Sequence, residues 1–335
     1  MLSIRRRIKY FFKRQMIIIM YHRIGSPDVD PWQLSVSEKN FEQHLRLLQR
    51  QKIVQPLPSI IGELKERKLN TKCVALTFDD GYADNYLIAK PLLEKYGIPA
   101  TFFITSRNVD SKKEFWWDEL ANILLLTKQL PPTLSLEING LSFFYDLEEE
   151  TSLTAELMEH HKEYIAYQPK TLRSGLYYKL WEYFSPMPAR EQLQLLNKIR
   201  TWAGVPEAPR PEFLCLASSQ IKDLSDSKLF NIGGHTVSHP MLSNYNKEAQ
   251  HEEILGNKLL LEQIARQKID LFAYPSGKHD ASTVEILKQL NFDAAFTTSA
   301  KTVKNDSDPF TLGRFQVNNC TGDEFKKMLL KWSDQ

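Results

Sequence analysis

The sequence predicts an α/β fold in which parallel strands alternate with crossover helices, and three observations carry that reading. The apolar run Val74-Ala-Leu-Thr-Phe78 ends abruptly in Asp79, Asp80 and Gly81, and α/β folds place their chemistry at the carboxyl ends of inner strands. A helical pattern over Asn85–Tyr96, the break Gly97-Ile-Pro99 and a second β-rich run, Ala100–Thr105, follow in β-loop-α-β order. The same alternation returns after Asp223.

The totals bound the answer. At 335 residues the chain can form one large domain or two smaller ones. Lys+Arg 43 against Asp+Glu 41 leave a net charge of +2, so charge gives no reason to expect nucleic acid as a partner. Three scattered cysteines, Cys73, Cys215 and Cys320, form no C-x-x-C pair and suit a reducing compartment. Residues 1–15 form a basic, aromatic leader, with Arg5, Arg6, Arg7, Lys9, Lys13 and Arg14 around Ile8, Tyr10, Phe11 and Phe12. The apolar run after it, Met16–Met20, is shorter than the roughly 7–15 residues of an export signal and reads as a first core strand. The leader suits either peripheral contact with an anionic membrane surface or a solvated helix capping the barrel bottom. The expected location is cytoplasmic, at the inner membrane face.

Taken in order, 16–25 reads as a strand and loop and 26–36, with Pro27 and Pro31, as a loop. Ser37 is a plausible N-cap for a helix through Phe41, Leu45 and Leu48, and a second helix is expected near Ile60–Arg67. Strand 73–78, helix 85–96 and strand 100–105 follow. Residues 110–225 differ. Phe115-Trp-Trp-Asp-Glu-Leu opens a helical pattern, Asn139-Gly140 signals a hairpin within 134–145, and helices fill about 150–203 before the proline-rich stretch 206–211. This block reads as a mainly helical insertion in a domain spanning 16–335. Beyond it, Phe230–Pro240 reads as a strand ending in a histidine loop, further strands are expected at 269–274, 294–298 and 312–317, and helices at 247–267, 282–290 and 324–332.

Two constellations carry chemistry. Neighbouring strand side chains point to opposite faces, so Asp79 and Asp80 can share a site only where the strand has stopped, and Gly81 is expected to supply the turn. An Asp-Gly pair also suits a plain surface turn. His235-Thr-Val-Ser-His239, spaced for one side of a helical turn, brings two imidazoles close enough to share a metal ion. Gly233 and Gly234 are expected to allow a tight turn ahead of it. Zinc commonly takes two His, one carboxylate and a water. The acid pair offers that third ligand and leaves one carboxylate as a general base.

Thr77-Phe-Asp-Asp-Gly81 and His235-Thr-Val-Ser-His239 together resemble the polysaccharide deacetylases, the NodB-homology group of carbohydrate esterases. Met20-Tyr-His-Arg-Ile24, Ser35-Val-Ser37 and Phe272-Ala-Tyr-Pro-Ser-Gly277 are similar to the branch that begins with a Tyr-His motif. The resemblance covers about 16–108 and 220–330. It implies a bacterial enzyme with a distorted (β/α) barrel of about seven strands, and metal-dependent removal of N-acetyl groups from amino sugars of a polysaccharide or lipid-linked glycan. Asp80, His235 and His239 would bind one divalent metal ion, Zn²⁺ by family habit. Asp79 would be the base that activates water, and a backbone N–H near Ser276 would help hold the oxyanion.

The resemblance also leaves gaps. No late Leu-x-His motif occurs, so the acid for the leaving amine is assigned to His22, with His279 as the alternative; His22 could equally be a structural histidine bonded to a loop carbonyl. No arginine sits in Phe272-Ala-Tyr274, so Arg314 is expected to orient Asp79, with Arg23 as competitor. Tyr274, Pro275, Ser276 and Tyr82 are expected to contact substrate, and Asp84, Asn85, Trp116 and Trp117 are further candidates that packing explains as well. Ser276 replaces a usual tyrosine, and Asn318–Gly322 replaces a segment where relatives often carry tryptophan, which leaves the sugar groove less aromatic. An aspartyl-phosphate phosphatase and a catalytically silent glycan-binding module are the alternative functions. The first gives the two histidines no role, and the second leaves the retained acids and histidines unexplained.

Overall fold

The computed structural model describes residues 15–69 and 73–334; the leader expected over 1–15 lies outside them, apart from Gln15. The chain divides into two compact units. One holds the first strand through Ser26, then Leu34–Ser111, and the chain from Cys215 onward. The other holds Pro27–Gln33 and Lys112–Leu214.

The first unit is built on seven parallel strands: β1 Met16–Tyr21, β2 Cys73–Phe78, β3 Ala100–Ile104, β4 Phe230–Gly234, β5 Leu271–Ala273, β6 Ala294–Phe296 and β7 Phe315–Gln316. Their spatial order is β6-β5-β4-β3-β2-β1-β7. An isolated parallel bridge joins Phe296 of β6 to Leu312, just ahead of β7. The sheet therefore curls until its edges come within one bridge of closing, as a distorted (β/α) barrel. Helices Glu38–Gln51 and Leu57–Lys65 link β1 to β2, Lys247–Ala265 links β4 to β5, and Ala281–Gln289 links β5 to β6. Among the described residues no helix is long and apolar enough to cross a membrane.

Strands covered on both faces read as continuous apolar runs, and every residue of β1 and β2 is buried. Alternation then sorts them. Ile17, Ile19, Tyr21, Val74, Leu76 and Phe78 join Phe41, Leu45 and Leu48 of helix Glu38–Gln51 in one cluster. Met16, Ile18, Cys73 and Ala75 join Phe103, Phe296 and Leu312 in a second, into which helix Leu57–Lys65 inserts Leu57, Ile60, Ile61 and Leu64. Register aligns Met20 with Thr77 and Tyr21 with Phe78. The face that carries Met16, Ile18 and Met20 therefore continues to His22, and the face of Cys73, Ala75 and Thr77 continues to Asp79.

Three elements differ from expectation. The strand expected over 312–317 is only Phe315–Gln316, because the segment changes partners. Leu312 bonds to Ala295 and Thr297, Arg314 N–H donates to Ser299 O, and only then does Phe315 align with Ile19. The helix expected over 85–96 opens as a π-helical stretch, Asn85–Ala89, before Lys90–Tyr96, where Pro91 supplies no N–H to a regular ladder. Residues 215–225, expected to close the insertion, belong instead to the barrel unit, where an unexpected helix, Ser218–Asp226, forms.

The second unit holds the hairpin Thr133–Ile138 and Leu141–Asp146, whose turn residues Asn139 (φ 52°) and Gly140 (φ 75°) both adopt the left-handed conformation of a two-residue turn. Helices Leu172–Phe184 and Ala189–Ala203 pack Leu176, Leu180, Leu195 and Ile199 around it. Buried Arg173 donates to the carbonyls of Leu124, Thr127, Glu150 and Thr151. Trp116 stacks on Phe184 and Trp117 on Phe115, so packing accounts for both.

Candidate active site

At the end of β2 the chain turns sooner than glycine alone would require. Asp80 itself is left-handed (φ 73°), followed by Gly81 (φ 83°), and a Cβ on Gly81 would lie 2.9 Å from Ile104 Cγ2. The turn starts on the acid, so Asp79 and Asp80 leave the strand in different directions while both stay buried, at 2% exposure each.

Asp79 faces the barrel interior. Its backbone N–H donates to Tyr21 O at 3.0 Å, continuing the β1–β2 ladder. Arg314, with no exposed surface, donates Nη1 to Asp79 Oδ1 at 2.6 Å and Nη2 to Oδ2 at 2.7 Å. Its Nε donates to Thr297 O and its Nη1 also to Thr77 Oγ1, so the guanidinium is fixed on three sides. Burial, the largest single influence, would raise the Asp79 carboxyl, but the Arg314 charge and hydrogen bonds together with the charges of His235 and His22 outweigh it and hold the group below the usual carboxylate range. Arg23, the expected competitor, is engaged elsewhere: its Nε lies 3.2 Å from Asp84 Oδ2, and its guanidinium sits over the Tyr82 ring. Asp84 also accepts from Ile24 N–H, and Asn85 Nδ2 donates to His22 O. Asp84 and Asn85 thus pin the turn that carries His22; neither was singled out by the sequence for that task.

Asp80 turns toward the histidines. Its Oδ1 lies 3.3 Å from His235 Nε2 and 3.4 Å from His239 Nε2, and the three ligand atoms all lie within 4.8 Å of one another. His235 Nδ1 is 2.7 Å from Ala273 O. A carbonyl only accepts, so Nδ1 carries the proton and Nε2 presents its lone pair to Asp80. Two acceptors then face each other, and Asp80 Oδ1 finds no hydrogen-bond partner among the described residues. Two buried carboxylates against one guanidinium also leave a negative charge unbalanced. The trio fits a cation on both counts. Proton affinity reports the same pull: burial lowers that of His235, yet the contact with Asp80 outweighs it and the net shift is upward. At Asp80 the His235 contact and the charges of His239 and His22 outweigh burial and keep the carboxyl ionised. His239 is pushed down to about 4, chiefly by burial, so it stays neutral as a ligand must.

The histidine pair does not lie on a helical turn as expected. The loop departs from β4 with Thr236 (φ 64°) and His239 (φ 61°) both left-handed. Gly233 and Gly234 supply space rather than turning, since neither has positive φ. A Cβ on Gly233 would lie 2.4 Å from the Phe103 ring, and one on Gly234 2.9 Å from Asn257 Oδ1.

His22 is part-buried beside this group, and its Nδ1 has no hydrogen-bond partner among the described residues. Its charge reaches Asp79, Asp80 and His239. His279 instead stacks on Tyr274 at 4.5 Å, with Nδ1 against Gly277 O.

Three of the four expected substrate contacts lie in the interior. Tyr274 is fully buried and donates its hydroxyl to Phe310 O; Tyr82 is fully buried beneath Arg23; Pro275 is buried as well. Their apolar and aromatic surface serves the core, and of the four only Ser276, left-handed at φ 53°, is exposed.

The model of the family described as polysaccharide deacetylase matches residues 66–125 and 199–295. YxkH of Bacillus subtilis (strain 168), which bears the polysaccharide deacetylase name, is 33% identical over 129 residues, or 37% of this chain, and the match spans 45% of that relative's length. Among solved structures, the Streptococcus pyogenes deacetylase PplD in complex with acetate matches 93% of this chain and 97% of its own, at 18% identity and a TM-score of 0.54. IcaB from Ammonifex degensii matches 96% of this chain and 97% of its own, at 20% identity and a TM-score of 0.57. At those identities the likeness is one of fold. The two segments that match the polysaccharide deacetylase family model contain Asp79 and Asp80 in the first and His235 and His239 in the second.

Proposed function

We propose that this protein is a metal-dependent N-deacetylase acting on N-acetylated amino sugars of a polysaccharide or a lipid-linked glycan precursor. The observation that carries the proposal is the Asp80–His235–His239 trio, with Asp80 and His235 buried and His239 part-buried, beside a carboxylate, Asp79, that is held ionised. Asp80, His235 and His239 would hold the cation, and two imidazoles with one carboxylate suit Zn²⁺. Such an ion supplies Lewis-acid polarisation of the acetamide carbonyl and a lowered water pKa, the acidity a weak base such as Asp79 needs in its partner.

Asp79 accepts the proton of the attacking water, with Arg314 keeping the carboxylate charged and aimed. His22, on the same interior face by strand parity, delivers a proton to the departing sugar amine. The Ser276 backbone N–H, on the loop that follows Ala273, is assigned to the carbonyl oxygen as it gains charge. The phosphotransfer alternative lacks a nucleophile here, since Arg314 engages both Asp79 oxygens and Asp80 faces the histidines.

The test is acetate release from N-acetylated oligosaccharides and from lipid-linked N-acetylated sugars, before and after chelation. Release that stops on chelation and returns with zinc is expected. Undiminished release by the chelated protein would remove the metal from the proposal, and no release from any N-acetylated sugar would remove the reaction.

A further inference from the structure

We infer that Glu253 and Asn257 are positioning residues that set the spacing of His235 and His239, and with it the affinity of the trio for a divalent cation. The inference rests on the metal-dependent reading above and concerns two residues outside the trio. Both lie on helix Lys247–Ala265, four positions apart and so on one face.

The loop they hold is costly. Thr236 and His239 are both left-handed, a conformation that is strained for residues other than glycine and persists only where the surroundings enforce it. Helix Lys247–Ala265 supplies that enforcement at four consecutive residues. Buried Asn257 accepts His235 N–H through Oδ1 at 3.0 Å and donates Nδ2 to Thr236 O at 2.6 Å and to Ile104 O at 2.9 Å. Glu253 accepts Val237 N–H through its backbone carbonyl at 3.1 Å. Its carboxylate accepts Ser238 N–H at 2.8 Å and the Ser238 hydroxyl at 2.6 Å. Space for this contact is built in: a Cβ on Gly234 would meet Asn257 Oδ1 at 2.9 Å, and one on Gly256 already lies 3.1 Å from Val237 Cγ2. The helix therefore bonds to every residue from His235 to Ser238, and Thr236 Oγ1 receives His239 N–H at 3.0 Å. These bonds fix the backbone positions from which the two imidazoles project.

The experiment uses the full chain and titrates Zn²⁺ by competition with a chromophoric chelator, for wild type, Asn257→Ala, Glu253→Ala and Glu253→Gln. Loss of a partner behind a metal ligand weakens metal binding by about 10–100-fold, and that loss is expected for both alanine variants. Acetate release should recover at saturating zinc, so that the defect lies in occupancy. Glu253→Gln, whose amide oxygen still accepts Ser238 N–H, should bind like wild type. Thermal unfolding of each metal-free variant separates holding the fold from holding the ligands. A lowered midpoint with unchanged zinc affinity in the alanine variants would overturn the inference. If Asn257→Ala does not fold, Glu253→Ala decides, because its side chain is only part-buried. A wild-type chain that takes up no zinc would defeat the metal reading itself, an outcome distinct from variants that bind as well as wild type.

Discussion

Arg314 grips Asp79 from 235 residues away in sequence, with one guanidinium nitrogen on each carboxylate oxygen, at 2.6 Å and 2.7 Å. The fork also touches Thr77 Oγ1, itself anchored to Ile19 O, so three strands fix one carboxylate. Removing the arginine leaves a buried charge alone, which typically costs about 3–5 kcal/mol. Arg314→Ala should lose stability on that scale in urea unfolding. Arg314→Lys keeps the charge without the fork and should fold, yet release acetate roughly 10–100-fold more slowly, since misplacement by about 1 Å carries that order of penalty. A lysine variant as fast as wild type would show that the charge alone matters.

Two histidines compete for the role of acid, and their surroundings separate them. His22 Nδ1 is buried with no hydrogen-bond partner among the described residues, whereas His279 spends its ring on Tyr274 and its Nδ1 on Gly277 O. His22→Ala should slow acetate release by about 10²–10⁴-fold, the usual share of general acid–base catalysis, while zinc affinity stays within reach of wild type. His279→Ala should leave the rate nearly unchanged. Reversal of that order would move the acid to the Pro275–Gly277 loop.

The strands and the four central site residues were legible because each is written locally. Val74–Phe78 is apolar without a break, the two acids stand where it stops, and H-x₃-H is a spacing. Conformation was less legible. Nothing in His235-Thr-Val-Ser-His239 announces that Thr236 and His239 are left-handed, because the bonds that enforce it come from Glu253 and Asn257 on a distant helix. The burial of two expected substrate contacts was illegible for the opposite reason. Tyr82 and Tyr274 sit within motif stretches, and an aromatic ring there serves the core or the groove with the same sequence signature. Only the Tyr274–Phe310 hydrogen bond and the Arg23–Tyr82 contact distinguish the two.

His44 gives the fold a dependence on pH that is separate from the site. Its Nε2 donates to Cys320 O at 2.7 Å, its Nδ1 accepts from the Tyr21 hydroxyl at 3.2 Å, and its ring stacks on Phe325. It is therefore neutral in the fold, and burial pushes it down from its ordinary value of 6.5 to about 4. Below pH 6.5 the unfolded chain takes up a proton that the folded one refuses until about pH 4. Stability should therefore fall with falling pH across that window, by up to about 1.4 kcal/mol per unit from this residue. Urea unfolding at pH 7 and pH 5 measures it against His44→Gln, which lacks the titrating ring. Wild type should lose more between the two pH values than the variant; equal losses would assign the effect to other groups.

Gly233 connects packing in the barrel to the site two residues later. A Cβ there would lie 2.4 Å and 2.5 Å from two atoms of the Phe103 ring and 3.1 Å from Leu271 O. Phe103 has no exposed surface and packs against Phe296 at 5.3 Å, so the ring has little room to yield and β4 must shift instead. Overpacking of this kind costs about 1–3 kcal/mol, and a shift of β4 carries His235 with it. Gly233→Ala should therefore lower both stability and zinc affinity. Phe103→Leu, which removes the obstructing ring atoms, should leave a cavity by itself yet relieve the clash in the double variant. A cycle of the two single and the double variant, followed by urea unfolding and zinc competition, should give a combined loss smaller than the sum, because residues in contact do not act additively. Additive losses would mean that the alanine is accommodated without reference to Phe103, and that the glycine is there for some reason other than this ring.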